Sequence, residues 1–250
     1  MQLEGKTAIV TGGARRLGRA VALALAERGA NLVVHYGHSA AAAEQVVAEA
    51  RAHGVEAIAA QADFHRPLEA PRVVEAALDH FGRLDVLVNS AAIFEAGSVL
   101  DTDEANWDRH FAVNLKAPFF LSQSFARHLP PDGTGKIINI TDWRALRPGT
   151  DHVAYTLTKA ALVTLTQVLA QALAPRVTVN AVALGAILPP PGADQAYLER
   201  LARSVPLRRH GSPDDVVAAV LFLLEGSDYV TGTTVLVDGG AHLWGPPSNG

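Results

Sequence analysis

Tyr155 and Lys159 stand four residues apart, and Asp142 lies thirteen residues before the tyrosine. On a helix, side chains at that spacing share a face with roughly 5–6 Å between their Cβ atoms, so the ammonium would sit close to the phenol. A neighbouring cation favours phenolate, which predicts a tyrosine pKa below its ordinary value of about 10 and a phenol able to act as a general acid. Asp142 follows the apolar run from Lys136 to Thr141, read as a buried strand. It therefore falls at a strand's carboxyl end, where open α/β sheets bind their ligands. A carboxylate, a phenol and an ammonium gathered there could supply the proton for a reduction.

Tyr-x-x-x-Lys occurs by chance on many helices, so the N-terminus carries as much weight. The strand-like Lys6 to Val10 runs through Thr11-Gly12-Gly13-Ala14-Arg15-Arg16-Leu17-Gly18 into an alanine-rich helix. Glycines let the backbone turn tightly and approach an anion, and the free N–H groups of the helix start complete a phosphate cradle. The second strand, Asn31 to Tyr36, ends without the acid that would bind the ribose hydroxyls of NAD. NADP(H) is thus the expected cofactor, with Arg15, His38 and Ser39 placed to meet its 2′-phosphate.

Taken together, these residues resemble the short-chain dehydrogenase/reductase family, and the resemblance spans nearly the whole chain. The family's Thr-Gly-x-x-x-Gly-x-Gly looks like Thr11 to Gly18 with one change, its Asn-Asn-Ala-Gly like Asn89-Ser90-Ala91-Ala92, and its Tyr-x-x-x-Lys like Tyr155 to Lys159. Asn114 matches the family's helix asparagine, Asp63 the acid beside the adenine, and Val235 to Gly240 its closing strand. Two departures are informative: Arg16 replaces the middle glycine, and Asp142 replaces the catalytic serine. Both resemble the pteridine reductase branch, as does His35-Tyr36-Gly37-His38-Ser39, with His38 where that branch carries arginine.

The resemblance implies catalytic roles for Asp142, Tyr155, Lys159 and Asn114, the last through a helix irregularity. It implies cofactor contacts from Gly12, Arg16, Leu17 and Gly18 in the first turn, and from His35, Tyr36 and Asp63 near the adenosine. Asn89, Ala91, Gly185, Ile187, Tyr155 and Lys159 would also contact the cofactor, with Lys159 on the nicotinamide ribose. Substrate contacts fall on Arg16, Phe94, Asp142 and Tyr155, with Phe94 stacking on a bicyclic ring.

The chemistry of Asp142 bears on substrate independently. Ketone reduction needs hydrogen-bond donors around the oxygen that gains charge, whereas an ionised carboxylate only accepts. A ring rich in N–H groups with a reducible C=N bond, such as a pterin or dihydrofolate, offers donors to that carboxylate and a nitrogen to protonate. Alternatively, burial raises the Asp142 pKa so that it donates as a serine would, which restores carbonyl chemistry. An NADPH-dependent reductase of pterin or dihydrofolate-like substrates is the leading expectation and a carbonyl reductase, for example of 3-oxoacyl substrates, the second. A non-catalytic nicotinamide-binding sensor is the third.

The elements that must position these groups are legible as strand-like runs near residues 6–11, 31–36, 55–60, 84–89, 136–141, 177–183 and 233–238, alternating with helical ones. That alternation predicts a single-domain, Rossmann-like, doubly wound parallel sheet of about seven strands over residues 1–250, with helices on both faces. Ser212-Pro213-Asp214-Asp215 reads as a helix start. Leu188 to Gly192 interrupts the pattern and marks the edge of a substrate lid at about 185–212. The helix from Tyr155 carries apolar residues on more than one face, and the resemblance implies a homotetramer built partly on it. The tail from Trp244 to Gly250 reads as a loose end or a contact with a neighbouring subunit.

Composition narrows the remaining possibilities. The 250 residues are 49% hydrophobic with a formal charge of −4, so a sizeable core is expected and no basic field suits nucleic acid or an anionic membrane. The absence of cysteine excludes thiolate catalysis and cysteine-ligated zinc. Ten scattered histidines show no metal-binding spacing. The first strand starts within a few residues of Met1, leaving no room for a cleavable signal, and no apolar stretch is expected to approach a membrane span of about 18 residues. A cytoplasmic enzyme with a small-molecule substrate is the expectation.

Overall fold

The computed structural model describes residues 1–190, 192 and 194–243; the tail from Trp244 and part of the Pro191 region lie outside the described residues. Seven strands form one sheet: β1 (Thr7–Val10), β2 (Asn31–Tyr36), β3 (Ala57–Gln61), β4 (Val86–Asn89), β5 (Gly135–Asp142), β6 (Val177–Leu184) and β7 (Thr234–Val237). Their order is β3-β2-β1-β4-β5-β6-β7, and every pairing is parallel. The winding reverses between β1 and β4, so the carboxyl ends of these neighbours open a crevice for a ligand. The glycine turn and Asn89 flank that crevice.

Side chains alternate across each strand, and the sheet is buried on both sides. Ala8, Val10, Val86, Val88, Ile138 and Ile140 face α1 (Arg16–Glu27), α2 (Ala40–Ala52) and α8 (Pro213–Glu225). Ile9, Leu87, Ile137 and Val179 face α3 (Pro71–Phe81), α5 (Ala117–His128) and α6 (Val153–Leu173). Both-sided burial explains why the strands read as continuous apolar runs. The remaining helices are α4 (Glu104–Phe111), which packs against α6, and α7 (Gln195–Ala202).

Strands expected at 55–60 and 84–89 begin two residues later in the structure, because Leu84 and Asp85 precede the ladder and Val55 and Glu56 lie in the approach to β3. α8 begins as expected: Ser212 accepts the Asp215 N–H, and the Asp215 carboxylate accepts the Ser212 N–H, completing a capping box ahead of Pro213. One expectation needs correction. At 21 residues, α6 is long and apolar enough to cross a membrane by length and composition, although half of that stretch is buried within this fold. It reads as apolar on several faces because it covers β5 and β6 on one side and leaves Leu157 and Val168 exposed on another.

Candidate active site

Asp142 closes β5, and Tyr155 and Lys159 lie in the first two turns of α6, which packs on β5 and β6. The Tyr155 hydroxyl donates to Asp142 Oδ2 at 3.0 Å. The backbone N–H of Arg144 donates to Asp142 Oδ1 at 2.8 Å, which orients the carboxylate from the short 3₁₀ turn beyond the strand. Lys159 is buried, its Nζ 5.6 Å from the Tyr155 ring centre and donating to the Ile140 carbonyl at 2.8 Å.

The electrostatics correct the expectation of an acidified phenol. Burial and the adjacent Asp142 carboxyl hold the Tyr155 pKa well above 10. The Lys159 ammonium, 5.6 Å from the ring centre and donating to the Ile140 carbonyl, does not outweigh them while the phenol is neutral. Burial in turn lowers Lys159 to about 8, against the opposing pull of Asp142. It also raises the Asp142 pKa, opposed by the hydrogen bonds from Arg144 and Tyr155. Tyr155 accordingly holds its proton at neutral pH and directs it at the carboxyl.

Asn114 lies in a π-helical turn, Ala112–Lys116, between α4 and α5, which is the helix irregularity expected of it. Its Oδ1 accepts the Ile93 N–H at 2.9 Å, and its Nδ2 donates to the Ile93 carbonyl at 3.0 Å and Thr158 Oγ1 at 3.3 Å. Thr158 Oγ1 donates to the Tyr155 carbonyl at 2.7 Å, linking this turn to α6. Phe94 meets Tyr155 edge-on, 4.6 Å between ring centres at 81°. One of its faces is already stacked on His152 at 3.9 Å and 6°, and the Arg144 guanidinium lies 6.0 Å from its ring centre. Neither His152 nor Thr158 is marked by any sequence pattern; both come to the site by folding.

The first turn fits a dinucleotide phosphate. Gly12 has φ 63°, and a Cβ on Gly18 would lie 2.2 Å from the Gly12 carbonyl oxygen, so the helix can close on the turn only without a side chain. Thr11 Oγ1 accepts the N–H groups of Ser90 and Ala91 at 2.9 and 3.0 Å, joining the turn to the end of β4. Arg15 is exposed at this helix entry and Leu17 is half-buried. Arg16 adopts φ 53° where the family pattern has glycine, and its guanidinium donates to the Pro189 carbonyl at 2.6 Å. As the structure stands, that side chain bridges the turn to the segment expected to form a lid.

His35 supports the glycine turn from behind. It is buried at the end of β2, stacked 4.0 Å from Phe64, with Nδ1 accepting the Gly12 N–H at 3.1 Å and Nε2 facing the Ala62 carbonyl at 3.0 Å. Both nitrogens are committed behind the turn, and burial lowers its pKa to about 4. Tyr36 and Ser39 are half-buried and His38 exposed near the same strand end. Asp63 follows β3, where its carboxylate accepts the His65 N–H at 3.0 Å. Asn89 is buried and donates to Asn139 Oδ1 at 2.8 Å. Ala91 lies against Gly12, and Gly185 lies so close to Asp238 that a Cβ would meet its Cα at 2.6 Å. Ile187 is buried just beyond. A cavity of about 550 Å³ opens beside this segment, lined by Ala186, Pro206, His210 and Asp238, but none of Asp142, Tyr155 and Lys159 lines it.

Residues 12–242 match the family model described as enoyl-(acyl carrier protein) reductase. The chain belongs to the short-chain dehydrogenase/reductase family. It is 37% identical to a 3-oxoacyl-[acyl-carrier-protein] reductase of Synechocystis over 245 residues, covering 97% of this chain and 99% of that protein. Among solved structures, FolM alternative dihydrofolate reductase 1 of Brucella canis, complexed with NADP, superposes with a TM-score of 0.91 at 36% identity, covering 99% of this chain and 98% of that one. The Brucella suis counterpart, also with NADP, gives 0.89 at 37%, covering 97% and 98%. The chain is an NADP-dependent oxidoreductase of this family, and Asp142, Tyr155 and Lys159 meet where β5 ends and α6 begins.

Proposed function

We propose that this protein reduces a pterin or dihydrofolate-like ring, with NADPH as reductant and Tyr155 as proton donor. The observation that carries the reading is the 3.0 Å hydrogen bond from the Tyr155 hydroxyl to Asp142, a carboxyl where a ketone reductase has a neutral donor. NADPH, held by the glycine turn and the ends of β4 and β6, supplies the hydride when bound. Tyr155 gives its proton to the ring nitrogen, and the Lys159 ammonium beneath it compensates the phenolate charge. Asp142 accepts hydrogen bonds from ring N–H groups and fixes their orientation. Likeness to two structures titled alternative dihydrofolate reductase supports this substrate class. The segment from 185 to 212 closes the site as a lid, and the working assembly is a homotetramer that uses α6.

A carbonyl reductase is the second reading, favoured by the raised Asp142 pKa, which would let the carboxyl donate, and by the 3-oxoacyl reductase relative. Steady-state oxidation of NADPH with dihydrobiopterin, dihydrofolate and a panel of ketones separates the readings. Efficient turnover of ketones with none of pterins overturns the first. A sensor would bind NADPH and reduce nothing in the panel.

A further inference from the structure

We infer that His110 is a positioning residue, fixing Phe94 beside Tyr155 through the backbone N–H of Glu95. The inference rests on the reading above only in taking the space next to Phe94 and Tyr155 as the substrate site. Phe94 lies in the stretch after β4 that belongs to neither helix nor strand, so no ladder sets its position. Two side chains do so instead. Asn114 grips Ile93 through both its N–H and its carbonyl. On the other flank of Phe94, the Glu95 N–H donates to His110 Nε2 at 3.2 Å. His110 and Asn114 lie four residues apart across the junction of α4 with the π turn, so one helical edge holds the peptides on both sides of the aromatic ring.

The imidazole is fully buried and its tautomer is dictated by its partners. Nδ1 faces the Asn106 carbonyl at 2.8 Å and must carry the hydrogen, which leaves Nε2 bare to accept from Glu95. Apolar residues would fill this space without a polar atom to satisfy. Imidazole here does what they cannot, giving the part-buried Glu95 N–H an acceptor in a loop that belongs to no ladder. The Glu95 carboxylate is held separately by Asn106 Nδ2 at 3.2 Å and Arg109 Nη2 at 2.7 Å. Loss of His110 therefore frees the main chain at Phe94 while the side chain of Glu95 stays anchored.

His110→Phe removes the acceptor at similar volume, His110→Gln keeps an acceptor at the same reach, and His110→Leu serves if the phenylalanine variant does not fold. Each is assayed alone and combined with Phe94→Ala, on whichever substrate the wild type reduces. We expect His110→Phe to raise substrate KM about tenfold, with kcat and NADPH affinity within about threefold and most of the loss recovered in His110→Gln. In the Phe94→Ala background the same change should alter KM less than about twofold, since residues acting as one unit are not additive. A lowered Tm with unchanged KM, or KM effects that multiply, would overturn the role. If the wild type reduces only ketones, the pterin reading falls, and the same cycle run on the ketone still decides the role of His110.

Discussion

Burial and Asp142 both oppose ionisation of the Tyr155 phenol, so it keeps its proton at neutral pH. In the proposed reaction it would release the proton only to a more basic atom, leaving a charge for Lys159 to balance. Tyr155→Phe should lower kcat on the order of 10²- to 10⁴-fold, with NADPH affinity, read by fluorescence titration, within about twofold because the turn of residues 12–18 is untouched. Unchanged turnover would remove the phenol from the reaction. The pH dependence follows from Lys159, whose pKa burial lowers to about 8. Its ammonium is present below that value and lost as pH rises through it, so kcat should fall on the alkaline side from about pH 8. A profile flat to pH 10 would show that the charge plays no part. The proximity of these groups was legible in the sequence, since helix spacing and a strand end fix it. The direction of the Tyr155 shift was not, since desolvation depends on what α6, β5 and the 3₁₀ turn exclude together.

At the scale of elements, the turn between β1 and α1 depends on β2 behind it. His35 accepts the Gly12 N–H from its side chain, and its carbonyl accepts the Gly13 N–H at 3.0 Å. An ordinary histidine titrates near 6.5, whereas this one is lowered to about 4 by burial. The unfolded chain therefore binds a proton between those values that the native state refuses. Stability is full above about pH 6.5 and is lost as pH falls toward 4, by about 3 kcal/mol at the limit. Chemical denaturation from pH 7 to 4 should show that slope, and His35→Gln should lack it; equal slopes in both proteins would assign the acid sensitivity elsewhere. The resemblance marked the position of His35 but not that its ring would turn inward to hold Gly12, because a motif conveys position along the chain and not which way a strand residue faces. Element existence was clearer. Continuous apolar runs between glycine- and proline-marked turns located all seven strands to within about two residues, while the Phe94–His152 stack joins positions that no local pattern connects.

Considered as a whole molecule, the chain leaves apolar surface on its helices that its own sheet cannot cover. Leu157 and Val168 on α6 are 44% and 54% exposed, and Phe119 on α5 is 38% exposed. On the other face of the sheet, Phe222 of α8 is 56% exposed and Tyr229 beyond it is almost wholly so. Two separate apolar surfaces could serve the two distinct isologous contacts of a tetramer of dihedral symmetry, since each such contact uses one patch twice. At 26.3 kDa per chain, light scattering on the eluted protein should give roughly 105 kDa for four copies. In a tetramer built on α6, Val168→Glu would place a carboxylate against its symmetry mate, and so should halve that mass while the α8 surface stays intact. Because α6 also carries Tyr155 and Lys159, the half-assembled form should lose activity as the helix loosens, with substrate turnover recovering at high protein concentration. A monomeric wild type, or a Val168→Glu protein of unchanged mass, would detach the apolar face of α6 from assembly.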